Sequence, residues 1–259
     1  MFKRSAGLIL HPSSLPSDYG IGELGSEAYA WVDGLQEAGI TLWQMMPLGP
    51  TGYGDSPYQC FSAFAGNPYL ISLEVLLEQG LLEERHLDSM PSFESHRVDF
   101  GSLIPWKISV LEDSFETFKK FASIAMQESF ALFCKLESHW LNDYALFMSL
   151  KELHEGVSWD HWQEPYKKRE PNAMSQAKED LHETIQKYQY WQWLFFAQWL
   201  KLKDYANHKG IEIIGDIPIF VAYDSADTWA NPELFYLNPE SRPSVVAGVP
   251  PDYFSETGQ

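Results

Sequence analysis

Three short apolar runs punctuate an otherwise mixed chain: GLIL at 7–10, TLWQMM at 41–46 and IEIIGDIPIFV at 211–221. Each is followed closely by Pro, Gly or polar residues, the pattern of parallel strands covered on both faces. Between the first two, Ala28, Trp31, Val32, Leu35 and Ala38 recur at helical spacing, with Ser26 placed to cap the start and Gly39 to stop it. Strand, helix, strand predicts a β-α-β unit with a right-handed crossover. Ahead of the third run, residues 183–210 are apolar on almost every side through their middle. That predicts a deeply buried helix, ended by Gly210. Its centre, YQYWQWLFFAQWL, is interrupted by three glutamines and is too short to cross a bilayer.

Residues 80–185 differ in character, holding helical stretches and no convincing strand. The predicted organisation is therefore a first unit of barrel-type β/α elements with a substrate loop at 1–80, a mostly helical insertion at 81–185, and a continuation at 186–259. Alternating strand and helix gives an α/β class. Long loops after the strands suit the N-terminal part of a (β/α)8 TIM barrel, whose sites are built from such loops. A doubly wound open sheet fits the pattern as well.

The loop TGYGDSPYQCFSAFAGNPY, 51–69, does not follow loop habits. It carries Tyr53, Tyr58, Phe61, Phe64 and Tyr69 among Gly, Pro and Ser, with Asp55 as its one charge. Helices and central strands both reject that much Gly and Pro. Phe61 and Phe64 read as plugs of the barrel mouth. Tyr53 and Tyr58 have hydroxyls that need water or a partner.

Charge narrows the function classes. With 36 acidic against 18 basic residues the formal net charge is −18, which repels nucleic acid and anionic membranes. Cys60 and Cys134 make no C-x-x-C pair and no disulfide framework, and the start MFKRSAGLILHP lacks the long apolar stretch of a signal peptide, so a cytoplasmic location is expected. Gly20, Gly22 and Gly25 spell G-x-G-x-x-G, but nine residues separate Leu10 from Gly20 and no acid follows at the required distance. They read as turn residues. The eight histidines show no metal-binding spacing, and there is no G-x-S-x-G elbow.

Asp216 interrupts an apolar strand, and a charge there needs a partner or a ligand. Asp224 and Asp227 follow. On residue pattern alone, structural and ligand-binding readings both stand, the structural one making Asp216 an acceptor for backbone N–H groups and the other two caps or turn residues. A sugar would satisfy both features: its C–H face lies on an aromatic ring, and its hydroxyls bond to carboxylates and Ser. The abundance of Trp (10) and Tyr (13) agrees with that.

The segments LHPSSLPSDYGIGELG, WQMMPLGPTGYGDSPYQCFSAFAGNPYLISLE, RVDFGSLIPWK, GDIPIFVAYDSADTWANPELF and AGVPPDYFSETGQ closely resemble the 4-α-glucanotransferases, or amylomaltases, of glycoside hydrolase family 77. The resemblance runs from Leu10 to Gln259 and is weakest in the helical insertion. It implies a (β/α)8 barrel with helical insertions, no cofactor, and transfer of α-1,4-glucan segments between maltooligosaccharides. By resemblance Tyr53, Ser56 and Tyr58 contact the glucan and Asp216 bonds to a sugar near the cleavage point; the loop's residue pattern adds Asp55 as a further sugar-binding group. Asp252, Tyr253 and Phe254 would fold over the chain, with Gln259 beside it. The chemistry implied is a retaining double displacement.

One departure qualifies this. The family's nucleophile sits in an Arg-x-Asp-His motif, which is absent here; the similar string Arg97-Val98-Asp99-Phe100 lacks the His and precedes the third strand. The chain is therefore expected to be an N-terminal portion of a longer enzyme, with no catalytic residue of its own and no activity alone. Its third strand is expected to leave a bare edge and so favour self-association. Alternatives are an α-glucan hydrolase, a non-catalytic glucan-binding unit and, through Gly20 to Gly25, a dehydrogenase.

Overall fold

The computed structural model describes residues 4–218, 220–245, 248–251, 253 and 256–257. Strands β1 (Gly7–Ile9), β2 (Leu42–Gln44) and β3 (Glu212–Ile214) form a parallel sheet in the order β1-β2-β3. Leu8, Trp43 and Ile213 lie in register across it, as do Ile9, Gln44 and Ile214. The helices are α1 (Ser26–Glu37), α2 (Leu73–Glu78), α3 (Phe100–Phe121), α4 (Ile124–Leu136), α5 (Ser138–Leu153), α6 (Glu164–Lys167), α7 (Pro171–Asp180), α8 (His182–His208) and α9 (Ala226–Ala230). The result is a helix-rich α/β fold around a small parallel sheet.

The strands are shorter than the apolar runs, and they are not covered on both faces. Trp43 of β2 is buried and rests edge-on against Trp31 of α1. Leu8, Ile9 and Ile214 are 44, 65 and 41 % exposed. Ile9, Gln44 and Ile214 share the face opposite Trp43, since side chains alternate along a strand. Among the described residues, nothing covers this face of the strands.

The start of α1 also differs from expectation. Gly25 is its N-cap and Ser26 its first residue; the Ser26 N–H donates to Glu74 Oε2 at 3.3 Å. The cap comes from α2, 48 residues away. Gly39 and Gly210 do end their helices, with φ of 71° and 78°.

Two apolar cores meet along α8. One gathers Trp43, the inner faces of α1, α2 and α3, and Tyr190 to Phe195. The other gathers α5, α7 and Trp159, Trp162 and Trp229. All six residues from Tyr190 to Phe195 are buried, so this helix is enclosed on every side at its centre. Within the first core Lys107 of α3 and Glu23 form a fully buried ion pair, and Glu23 also accepts from the Leu73 N–H at 3.0 Å. The pair joins α3 to the segments before α1 and α2.

Two of the glutamines in α8 have a structural task. Gln192 accepts from the Gly66 N–H at 2.7 Å and donates to the Gly66 carbonyl at 2.9 Å. Gln198 treats Ser72 in the same way, at 2.7 and 3.3 Å. Each amide thus completes a loop residue's backbone as a neighbouring strand would. Gly66 has to be glycine, because a Cβ there would lie 2.0 Å from the Phe195 ring. Gln192→Leu orphans both Gly66 groups in a dry interface, at roughly 1–3 kcal/mol per group. A lowered urea midpoint at unchanged m-value is the expected outcome, and a wild-type midpoint would show that Gln192 is dispensable.

Candidate functional site at the strand ends

The loop after β2 leaves the sheet at Met45 and returns toward it. Its neck is a short antiparallel pair: Thr51 bridges Cys60, Gly52 N–H donates to Gln59 O at 2.8 Å, and Phe61 N–H donates to Pro50 O at 3.0 Å. Tight turns close the tip, with Asp55 at φ 53°, an angle that Asp tolerates better than most residues. Ser56 accepts from the Tyr58 N–H at 3.3 Å through its hydroxyl and from the Gln59 N–H at 3.0 Å through its carbonyl. That aims Tyr58 across the sheet. Its hydroxyl donates to Asp216 Oδ2 at 2.8 Å, closing a contact over 158 residues of sequence.

Asp216 follows β3 directly and is exposed; its other oxygen accepts from the Ile217 N–H at 2.8 Å. Tyr58 is 44 % exposed, so much of its side chain stays open to solvent beside the carboxylate. The hydrogen bond to Asp216 holds the Tyr58 phenol above its ordinary pKa. An exposed aromatic side chain next to a fixed, accepting carboxylate is a surface for a ligand that has both a C–H face and hydroxyls.

Asp55 turns elsewhere. It lines a separate hollow of about 200 Å³ with His11, Ser13, Met46, Asn67 and Phe100. His11, at the end of β1, is buried; Nε2 donates to the Pro47 carbonyl at 3.3 Å, and Nδ1 accepts from the Ser13 N–H at 3.2 Å and meets Ser13 Oγ at 2.7 Å. The imidazole therefore joins the segment after β1 to the segment after β2. Burial pushes its pKa down. Tyr69, below the neck, is pushed up to about 12 by burial, with the Asp55 charge adding to it.

The other two aspartates are structural. Asp224 pairs with Lys151 of α5 at 2.5 Å, and Asp227 accepts from the Ala63 N–H at 2.9 Å and is raised in pKa by burial. Phe61 lies under the Lys151 ammonium, 5.0 Å from its ring centre. Phe64 is no plug: it is 55 % exposed and stacks on Trp140 of α5. Gly22 is no turn residue: its N–H donates to Ser13 O at 3.1 Å, and its missing Cβ would lie 2.0 Å from Pro12 O, so it serves a close approach of two backbone segments. No group of three or more metal-binding side chains occurs among the described residues.

So the structure brings together Ser56, Tyr58 and Asp216 and sets Asp55 apart. Tyr253 is exposed. Asp252, Phe254, Gln259 and the Tyr53 side chain lie outside the described residues. Sequence reasoning missed His11 and Lys151. His11 could have been suspected as a polar residue directly at an apolar strand's end; Lys151 gives no such signal within its helix.

A parallel sheet with its aromatic and carboxylate groups on the loops at the strand ends defines an α/β protein of the strand-end-site class. The family model for 4-alpha-glucanotransferase, glycoside hydrolase family 77, matches residues 10–259, and the chain belongs to that family. It is 55 % identical over 256 residues to a 4-alpha-glucanotransferase of Thermus thermophilus, which covers 99 % of this chain and 50 % of the relative. It is 49 % identical to one from Synechocystis, covering 99 % of this chain and 51 % of the relative. The chain spans about half the length of the curated relatives it matches. Amylomaltase from Streptococcus agalactiae, solved in complex with acarbose, superposes with a TM-score of 0.95 at 39 % identity, over 99 % of this chain and 52 % of that one. No helix among the described residues is long and apolar enough to cross a membrane.

The sign of the His11 effect is fixed by its depressed pKa. The unfolded chain takes up the proton near the ordinary value of 6.5 while the folded chain resists it, so this contribution is complete above that pH and is lost as pH falls below it. Urea midpoints at pH 7.5 and 5.5 should therefore differ less in His11→Asn than in the wild type. Equal differences would remove His11 from the account.

Proposed function

We propose that this chain forms the glucan-holding part of a 4-α-glucanotransferase that moves α-1,4-glucan segments between maltooligosaccharides. The Tyr58–Asp216 pair carries the reading: an exposed aromatic side chain beside a carboxylate, both fixed in position, in a chain of this family. A pyranose laid on Tyr58 would offer hydroxyls to Asp216 and Ser56. Tyr53, Asp55 and the segment with Asp252, Tyr253, Phe254 and Gln259 would extend the contact along the glucan. The S. agalactiae relative's acarbose complex supports an oligosaccharide-like ligand.

The reaction itself needs two carboxyl groups about 5 Å apart, one as nucleophile and one as acid then base. The carboxylates described here are committed otherwise: Asp216 to Tyr58 and Ile217, Asp224 to Lys151, and Asp227 to the Ala63 N–H. We assign the double displacement to residues in the remaining half of the relatives' length, and to this chain the holding of the sugar and the exclusion of water that favours transfer over hydrolysis.

The same reading accounts for the sheet. Units 1–80 and 186–259 would be the first part of a (β/α)8 barrel and 81–185 its helical insertion. Ile9, Gln44 and Ile214 would then face the barrel interior, and the outer edges of β1 and β3 would pair with further strands. An apolar face with two open edges also favours self-association of the chain by itself.

Maltoheptaose should bind the chain, and Tyr58→Ala or Asp216→Ala should each weaken it about tenfold, or roughly 1.4 kcal/mol, by titration calorimetry. Binding at full strength in both variants would place the sugar elsewhere. The chain alone should release no glucose from maltotriose, and in sedimentation it should run larger than a monomer.

A further inference from the structure

Between the aromatic loop and the helical insertion lies a hollow of about 420 Å³, with Phe61, Tyr69, Tyr144, Lys151, Lys187 and Trp191 among its lining. Both lysines are held by the protein itself. Lys187 bonds to Glu112 at 2.8 Å and to both Glu152 oxygens at 3.0 and 3.1 Å, which ties α8 to α3 and α5. Lys151 does something different. Its side chain is 8 % exposed, and its ammonium reaches out of the insertion to two segments that approach the strand-end site.

The first is the neck of the aromatic loop, through the Phe61 ring at 5.0 Å. The second is the segment after β3, through Asp224 Oδ2 at 2.5 Å. Those two segments are also joined directly: the Ala226 N–H donates to Phe61 O at 2.8 Å, and Asp227 takes the Ala63 N–H. Loop neck and post-β3 segment thus form one body, which packs on α5 through Phe64 against Trp140 and Trp229 against Phe147, and Lys151 is its charged joint there. Without the ammonium, Asp224 would keep, among the described residues, one long bond from the Trp159 N–H, at 3.4 Å, and Phe61 would lose its cation. Tyr58 stands three residues from Phe61, and Asp216 stands two residues past the end of β3, eight residues before Asp224. Their hydrogen bond therefore depends on how the joined body sits relative to the sheet.

We propose that Lys151 is a positioning residue for the candidate site: by binding Phe61 and Asp224 at once, it sets the loop so that the Tyr58 hydroxyl reaches Asp216. The geometry does not depend on what the site binds; the affinity consequence rests on the glucan reading above.

The test uses the chain labelled at the tyrosine ¹³Cζ, with the Tyr58 signal assigned by Tyr58→Phe. Asp216→Ala moves that signal and so calibrates loss of the hydrogen bond. Lys151→Met is expected to move it the same way by more than half as far, while Lys151→Arg, which keeps the charge, leaves it near the wild-type position. Maltoheptaose affinity is expected to fall about fivefold in Lys151→Met but to change little when the same substitution is made in Tyr58→Phe, because the two effects share one contact. A Tyr58 signal unmoved in folded Lys151→Met overturns the proposal, as do equal affinity losses in both backgrounds. A moved signal without any maltoheptaose binding supports the positioning role and sinks the glucan reading. If Lys151→Met does not fold, Phe61→Leu carries the same readings, since it removes the ring from the joint and leaves the ion pair.

Discussion

The backbone from Cys60 to Leu73 has to leave the sheet, pass beneath the insertion and reach α2 with little regular structure to absorb its hydrogen bonds. Buried N–H and C=O groups must still find partners. Here α8 provides them, because the amides of Gln192 and Gln198 each turn an N–H and a carbonyl oxygen toward the loop, the complement of a peptide group. Gln192 and Gln198 grip Gly66 and Ser72, each across 126 residues of sequence. A helix otherwise packed with Trp, Tyr and Phe thus acts as a substitute strand at two points. The loop is held at its base while its tip stays free to face solvent.

That fixed base gives the site its character. Above it, the neck pairs with itself, Asn67 accepts from the Tyr69 N–H at 2.9 Å, and the Ala226 and Asp227 contacts bind the loop to the segment after β3. Tyr58 and Asp216 therefore meet before any ligand arrives, and little ordering remains to oppose binding. The exposed ring and carboxylate sit at the end of a chain of constraints that begins in the buried amides of α8.

Much of the framework was legible along the chain. The three apolar runs located where each strand starts to within a residue, but the third, 211–221, outran β3, which ends at Ile214 and leaves Asp216 on the segment after it. Asp216 stood out because a charge in an apolar run needs a reason. What stayed hidden depends on partners far off in sequence. Ile9 and Ile214 look like buried residues, and only the sheet's register reveals that they share an exposed face. Ser26 matches a cap locally, yet Glu74 does that work. The glutamines of α8 read as interruptions in an apolar helix, since nothing near them shows that Gly66 and Ser72 lack bonds. Lys151 is one lysine among many until Phe61 and Asp224 are placed against it.

The account hangs on the loop's backbone being locked to α8 in solution, and amide hydrogen exchange on the chain reads that directly. The Gly66 and Ser72 N–H groups are expected to exchange as slowly as those in the centre of α8, through global opening alone, while Gly54 and Gln59 at the tip exchange far faster. Exchange of Gly66 and Ser72 at the rate of the tip would mean that the loop base is unlatched, and the preformed Tyr58–Asp216 site would lose its support.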